Sequence, residues 1–266
     1  VCLLRQGVEL SRTKAFIACI ADIYGNLNSI KIPSIKQMQN IIVESLDIDN
    51  FISLQNGSLI TLFYKSEDVV DLEEYKDTII YSKTDLTNID QKNTLTNIVS
   101  AFINFKKFLL SEDETIDYTY LWDLVCKENK KLFPKGLNLI ILEILDNDIT
   151  DNINIICPTN HFSKQFFNVN KKTLLLIKNQ EYYEPIYAFK NKKTVLEVMR
   201  LFSLSDKNIM PNLKEAITNI RNLINVNCIS LPSKPDIYKF KQNITCTELV
   251  KILKKTSHSG FLVFCF

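Results

Sequence analysis

TLLLIKNQEYYEPIYAF, residues 173–189, sets two apolar, β-branched and aromatic runs on either side of the polar stretch Asn179-Gln180-Glu181-Tyr182. Short runs of this composition with a polar break between them read as two strands and a hairpin turn. Working outward, LNLIILEIL (Leu137–Leu145) follows Pro134-Lys-Gly136 and is short, branched and apolar, hence a buried strand. INIIC (Ile153–Cys157) adds a fourth candidate strand between them.

The residues before this strand-rich middle have helical period. Phe16, Ile17, Ile20, Ile23 and Tyr24 recur at three and four, with Ser11 or Thr13 available as a cap and Gly25 as a stop. A second helix follows Pro33, capped by Ser34, with Ile35, Met38, Ile41 and Ile42 on one face. Asn56-Gly57 marks a turn, and residues 65–92 are polar, acidic and aperiodic, as an exposed excursion would be. A third helix carries Leu95, Ile98, Val99, Phe102, Phe105, Phe108 and Leu109, and a short one carries Tyr120, Leu121, Leu124 and Val125. Helices grouped ahead of strands predict an α+β domain, helices packed on a small central mixed sheet.

Beyond about residue 195 a helix over Asn212–Val226 leads to the extended Leu231-Pro-Ser-Lys-Pro235. A strand DIYKF and a helix over Thr245–Lys255, with the capping box Thr245/Glu248, follow. The expected division is therefore a main domain over 1–192 and a smaller helix-linker-strand-helix segment over 193–266. Residue 1 is Val, and the chain ends on the apolar run Gly260–Phe266, so a piece of a larger polypeptide is expected.

Composition narrows the function classes. Lys and Arg together number 32 against 30 Asp and Glu, a formal net charge of +2, which indicates no nucleic-acid partner. No apolar stretch approaches the roughly 18 residues a membrane span requires. Seven single Cys, with no CxxC pair, read as reduced, buried thiols of a cytosolic protein, and neither a metal site nor a cofactor is expected. The two His bound any His-based site. His161 lies in Cys157-Pro-Thr-Asn-His161, and His258 reads as a surface residue. The acidic pairs Glu73-Glu74 and Glu112-Asp113-Glu114 read as solvated surface.

KAFIACIADIYG, Lys14–Gly25, resembles the nucleophile helix of the OTU cysteine proteases and deubiquitinases, in which Asp-Gly-Asn-Cys leads into an Ala-Ile-Ala-Asp-like helix. The 173–189 hairpin is similar to that family's closing strand pair. The resemblance covers about residues 1–190 and implies an OTU-like fold of the papain-like superfamily. It puts Ala15 at the nucleophile position, Tyr182 at the position of the His and Glu184 at that of the orienting acid, with Arg12-Thr13-Lys14 in place of the oxyanion loop. A methyl group cannot attack a carbonyl, and a phenol of ordinary pKa about 10 is a poor base at neutral pH. The implied chain is a pseudoprotease that binds viral or host proteins, ubiquitin-like ones among them.

Two alternatives stand beside it: an active protease using Cys19, one helical turn on, with His161 as base, and a purely structural domain. Cys19 sits mid-helix among Ile17, Ile20 and Ile23, where a thiol behaves as a small apolar residue. The wider Ile/Asn/Lys bias, with only four Arg and five Gly, looks like large proteins of the nucleocytoplasmic large DNA viruses, or giant viruses. That likeness implies a virion or virus-factory protein, located in the host cytoplasm, the virion or both.

Overall fold

The computed structural model describes residues 2–145, 148–159, 167–192, 195–207 and 209–228. In chain order the elements are β1 (Cys2–Arg5), α1 (Ala15–Leu27), α2 (Ile35–Ser45), α3 (Ile48–Phe51), α4 (Ser58–Phe63), α5 (Ile79–Ser82), α6 (Ile89–Leu110) and α7 (Tyr118–Cys126). Then come β2 (Asn138–Leu145), β3 (Asp148–Ile155), β4 (Thr173–Asn179), β5 (Tyr182–Lys192), β6 (Val195–Met199) and α8 (Pro211–Asn227). The fold is α+β with a mixed sheet, as the sequence predicts.

Strand order is β1-β5-β4-β2-β3, with β6 also pairing β5. The β2–β4 pair is parallel and the others are antiparallel. The hairpin forms where expected: Asn179 pairs Tyr182 around a two-residue loop, and Gln180 takes the left-handed backbone that such a tight turn requires. β5 is the hub, pairing β4 through its first residues, β1 through its middle and β6 through its last.

The central strands are continuously apolar because both faces of the sheet are covered. Leu139, Ile141, Leu174, Leu176, Tyr183 and Tyr187 join the larger core, formed with α1, α2, α6 and α7. Their alternates Ile140, Leu175, Ile186 and Ala188 join a second core under α8, with Phe202, Leu213 and Ile217. The α8 helix and β6 therefore belong to the same body as the hairpin. The compact unit runs to Ile229, not to the expected boundary at 192, because β6 and α8 are needed to cover the far face of the sheet. The expected linker, DIYKF strand, Thr245–Lys255 helix and His258 lie outside the described residues, as does His161.

Local chemistry explains the helix ends. Ser34 and Gln37 form a reciprocal capping box on α2, and Asn88 and Asp117 cap α6 and α7. Gly25 does not stop α1, which continues to Leu27. It is glycine because Ile32 crosses there: a Cβ on Gly25 would stand 2.8 Å from the Ile32 Cα. The polar 65–92 stretch is pinned rather than loose. Asp49 accepts the backbone N–H groups of Ile79 and Ile80, Asp68 accepts from Ser100 and Asn104, and Leu72, Tyr75 and Ile80 pack against the core.

Cys157 and Cys228 are joined as a disulfide, which corrects the expectation of uniformly reduced thiols. The two are 71 positions apart in sequence, and only the topology, with the end of β3 beside the end of α8, brings them together. Cys2, Cys19 and Cys126 are free. Non-reducing peptide mapping is expected to recover the Cys157–Cys228 linked pair, and reduction to destabilise the fold by up to about 4 kcal/mol, as a loop of this length implies. Recovery of both cysteines as free thiols in the unreduced protein would contradict the pairing.

Candidate functional site

Helix α1 positions the site. Its residues Ala15 to Ile23 are almost wholly buried, and Phe16 stands edge-on to Tyr183 of β5 with ring centroids 5.5 Å apart. Truncating a side chain so enclosed as Phe16 to Ala costs roughly 3–5 kcal/mol. Nearly two turns further on, the Tyr187 hydroxyl donates to the buried Asp22 carboxylate, and the Arg200 guanidinium stacks 5.5 Å from the Tyr187 ring. Burial and the Asp22 hydrogen bond raise the Tyr187 phenol well above its ordinary value, so it stays a proton donor.

The N-terminus of α1 is built differently from those of α2, α6 and α7. Lys14 is the capping residue and no side chain accepts from the first turn, whereas Ser34, Asn88 and Asp117 accept at the other three. The first intrahelical bond runs from the Ala18 N–H to the Lys14 carbonyl, so the amides of Ala15, Phe16 and Ile17 precede the ladder. Lys14 turns its side chain the other way and is itself buried. Its ammonium donates to the carbonyls of Glu112 (2.9 Å) and Glu114 (2.6 Å), fastening the α6–α7 connection beside the helix end. Burial lowers the Lys14 ammonium from its ordinary range.

This helix end opens into a cavity of about 230 Å³, lined among others by Arg12, Thr13, Ala15, Asp117, Lys178 and Tyr183. The helix end, the α6–α7 connection and the β4–β5 hairpin thus share one cleft. Ala15 presents its methyl group there, at 4% exposure. Tyr182 reaches the rim instead, where its hydroxyl accepts from Arg12 Nε at 3.4 Å. Alternation along β5 turns Tyr183, not Tyr182, toward Ala15, so the phenol facing the nucleophile position is one residue later than the OTU-like alignment places it. Glu184 pairs with Arg5 Nε of β1 at 3.2 Å and orients neither tyrosine.

The Cys19/His161 alternative fares less well on the cysteine side. Cys19 is fully buried, and burial, with Asp22 and Glu184 nearby, raises its thiol well above the ordinary value. His161 lies outside the described residues, and Cys157 beside it in sequence is committed to the disulfide. Among the described residues no group of three or more His, Cys, Asp or Glu is placed to hold a metal ion, and no helix is long and apolar enough to cross a membrane.

Sequence reasoning missed Tyr183, Asp117 and Lys178, and gave Lys14 no role beyond replacing the oxyanion loop. The first was legible in the period-2 alternation with Tyr187, both turned toward α1. Asp117 and the Lys14 staple depend on the α6–α7 connection folding back, and Lys178 on the pairing of β4 with β2, neither of which a local pattern announces. Comparison with family models, with curated proteins and with solved structures found no match.

Under native conditions Cys19 and Cys126 are expected to resist iodoacetamide while Cys2, which is exposed, labels readily, as site-mapped mass spectrometry would show. The physical reason is the same for both resistant thiols: desolvation disfavours the thiolate and pushes Cys126 up to about 12. Rapid labelling of Cys19 would restore it as a nucleophile.

Proposed function

We propose that this chain is a non-catalytic, OTU-like binding or assembly domain of a giant-virus virion or virus-factory protein, and that the cleft between the α1 N-terminus and the β4–β5 hairpin is where it docks other viral or host proteins. The observation that carries the reading is the cleft itself. A helix end and a hairpin converge as they would around a thiol and its base, yet the groups presented are the Ala15 methyl and the Tyr183 ring, with Tyr182 held at the rim by Arg12. The buried supports, Lys14 on two carbonyls and Tyr187 on Asp22, are the kind of investment that keeps a binding surface shaped.

Ubiquitin-like proteins are the partner class that the family resemblance implies. The Cys157–Cys228 disulfide supports residence in the virion or another oxidising setting over long residence in a reducing cytosol. The function needs no nucleophile. Arg12, Thr13 and Lys14 serve the rim and the buried staple rather than an oxyanion loop.

Wild-type protein is expected to leave an electrophilic ubiquitin probe unreacted and a C-terminally labelled ubiquitin substrate uncleaved. The double variant Ala15→Cys with Tyr182→His is expected to stay folded and remain without robust activity. Tyr182 points to Arg12 rather than into the cleft, and loss of even one oxyanion donor costs about 10²–10³ in rate. Probe adducts on wild-type Cys19, or robust chain cleavage by the double variant, would overturn the non-catalytic reading.

A further inference from the structure

We infer that the cavity at the α1 N-terminus is a receptor for one carboxylate group, carried either by a small monocarboxylate or by the C-terminal end of a bound chain. The inference rests on the reading of this cleft as a non-catalytic binding site and names the chemistry it binds. Two independent features carry it.

The first is the uncapped helix end. Helix α1 has 13 residues, its first-turn amides are not met by any capping side chain, and its capping residue is a lysine whose charge is directed to the carbonyls of Glu112 and Glu114. Such an end carries about half a positive charge and unmet N–H donors, which attract an anion. The contrast with α7, at the same cavity, is direct. There Asp117 accepts the Thr119 N–H at 2.9 Å and supplies the negative group from within the chain.

The second is Tyr183. The residue is buried, with 4% of its surface exposed, it lines the cavity, and its hydroxyl has no hydrogen-bond partner among the described residues. A buried hydroxyl left unpaired costs roughly 1–3 kcal/mol, so its presence needs an acceptor that completes it. Burial raises the phenol well above its ordinary value, which keeps the hydroxyl protonated and able only to donate to an anion.

Charge selects the class of ligand. On the cavity wall Arg12 stands against Asp117 and Glu181, while Lys178 is paired with Glu143, so the side chains leave one negative charge in excess and the helix end is the source of positive potential. A cation would meet the positive helix end. A dianion such as phosphate would meet two carboxylates with no free surplus of positive charge to offset them. A planar monoanion with two acceptor oxygens fits both donor sets, one oxygen toward the amides of α1 and the other toward the Tyr183 hydroxyl, with Arg12 at the rim adding long-range attraction.

The test is a titration of the isotope-labelled wild-type protein with sodium acetate against sodium chloride at matched ionic strength, followed through the backbone amides. Acetate, and not chloride, is expected to shift Ala15, Phe16 and Ile17. Tyr183→Phe, which keeps the ring packing, is expected to weaken acetate by about ten- to a hundred-fold, as removal of one hydrogen bond to a charged group implies. Arg12→Gln is a second variant that leaves the core untouched, and it should weaken binding most at low salt.

Acetylated tri-alanine with a free carboxylate and its C-terminal amide separate the two sources. Tighter binding of the acid than of acetate, lost in the amide, identifies a chain end. Binding of acetate alone identifies a small monocarboxylate. Absence of shifts at residues 15–17, an unchanged affinity in Tyr183→Phe, equal binding of acid and amide, or inorganic phosphate binding more tightly than acetate would each overturn the inference. Turnover of ubiquitin substrates would sink the non-catalytic reading while leaving these shifts in place, so the two failures are distinguishable.

Discussion

One buried polar contact fixes the geometry on which the rest depends: the Tyr187 hydroxyl of β5 donating to the Asp22 carboxylate of α1. Burying a carboxylate without partners is costly, so this contact sets which turn of α1 meets which residue of β5. Phe16 against Tyr183 then follows four residues earlier on the strand and under two turns back along the helix. With the helix rotation and height both determined, its N-terminus has to emerge beside the hairpin. The cleft is thus a consequence of how the helix seats on the sheet.

The same logic explains why the sheet tolerates a helical layer on one face and a single helix on the other. Strands β2, β4 and β5 are apolar at successive positions, so each must find cover on both sides. Helix α8 supplies the second cover, and the Cys157–Cys228 disulfide ties its end to the end of β3. A domain ending at residue 192 would have left Ile140, Leu175 and Ile186 facing water.

Much of this was legible in the sequence, for reasons that can be named. The 173–189 hairpin, the Ser34 cap and the period of Leu95 to Leu109 are local signals, and each formed where its residues indicated. Edge strands β1 and β6 were not legible, because Cys2–Arg5 and Val195–Met199 are four- and five-residue segments whose strand character comes from pairing with β5. Gly25 was misread as a stop because its reason is a chain crossing at Ile32, seven residues away. At the site, the helix and hairpin were located correctly, but Tyr183 rather than Tyr182 faces the cavity, a one-residue difference that in a strand exchanges the two faces. The staple made by Lys14 and the disulfide join residues 98 or more and 71 positions apart, beyond the reach of any periodicity.

The central claim is that an open, uncapped helix end sits in an organised cleft at Ala15, and the most direct measurement is the pH profile of alkylation of an Ala15→Cys variant, resolved by residue. A thiol at the first position of α1, ahead of the hydrogen-bond ladder, is predicted to react with a midpoint below the ordinary cysteine value of about 8.5, while Cys19 one turn on stays inert. A midpoint at or above the ordinary value, or a residue 15 thiol as unreactive as Cys19, would contradict the account.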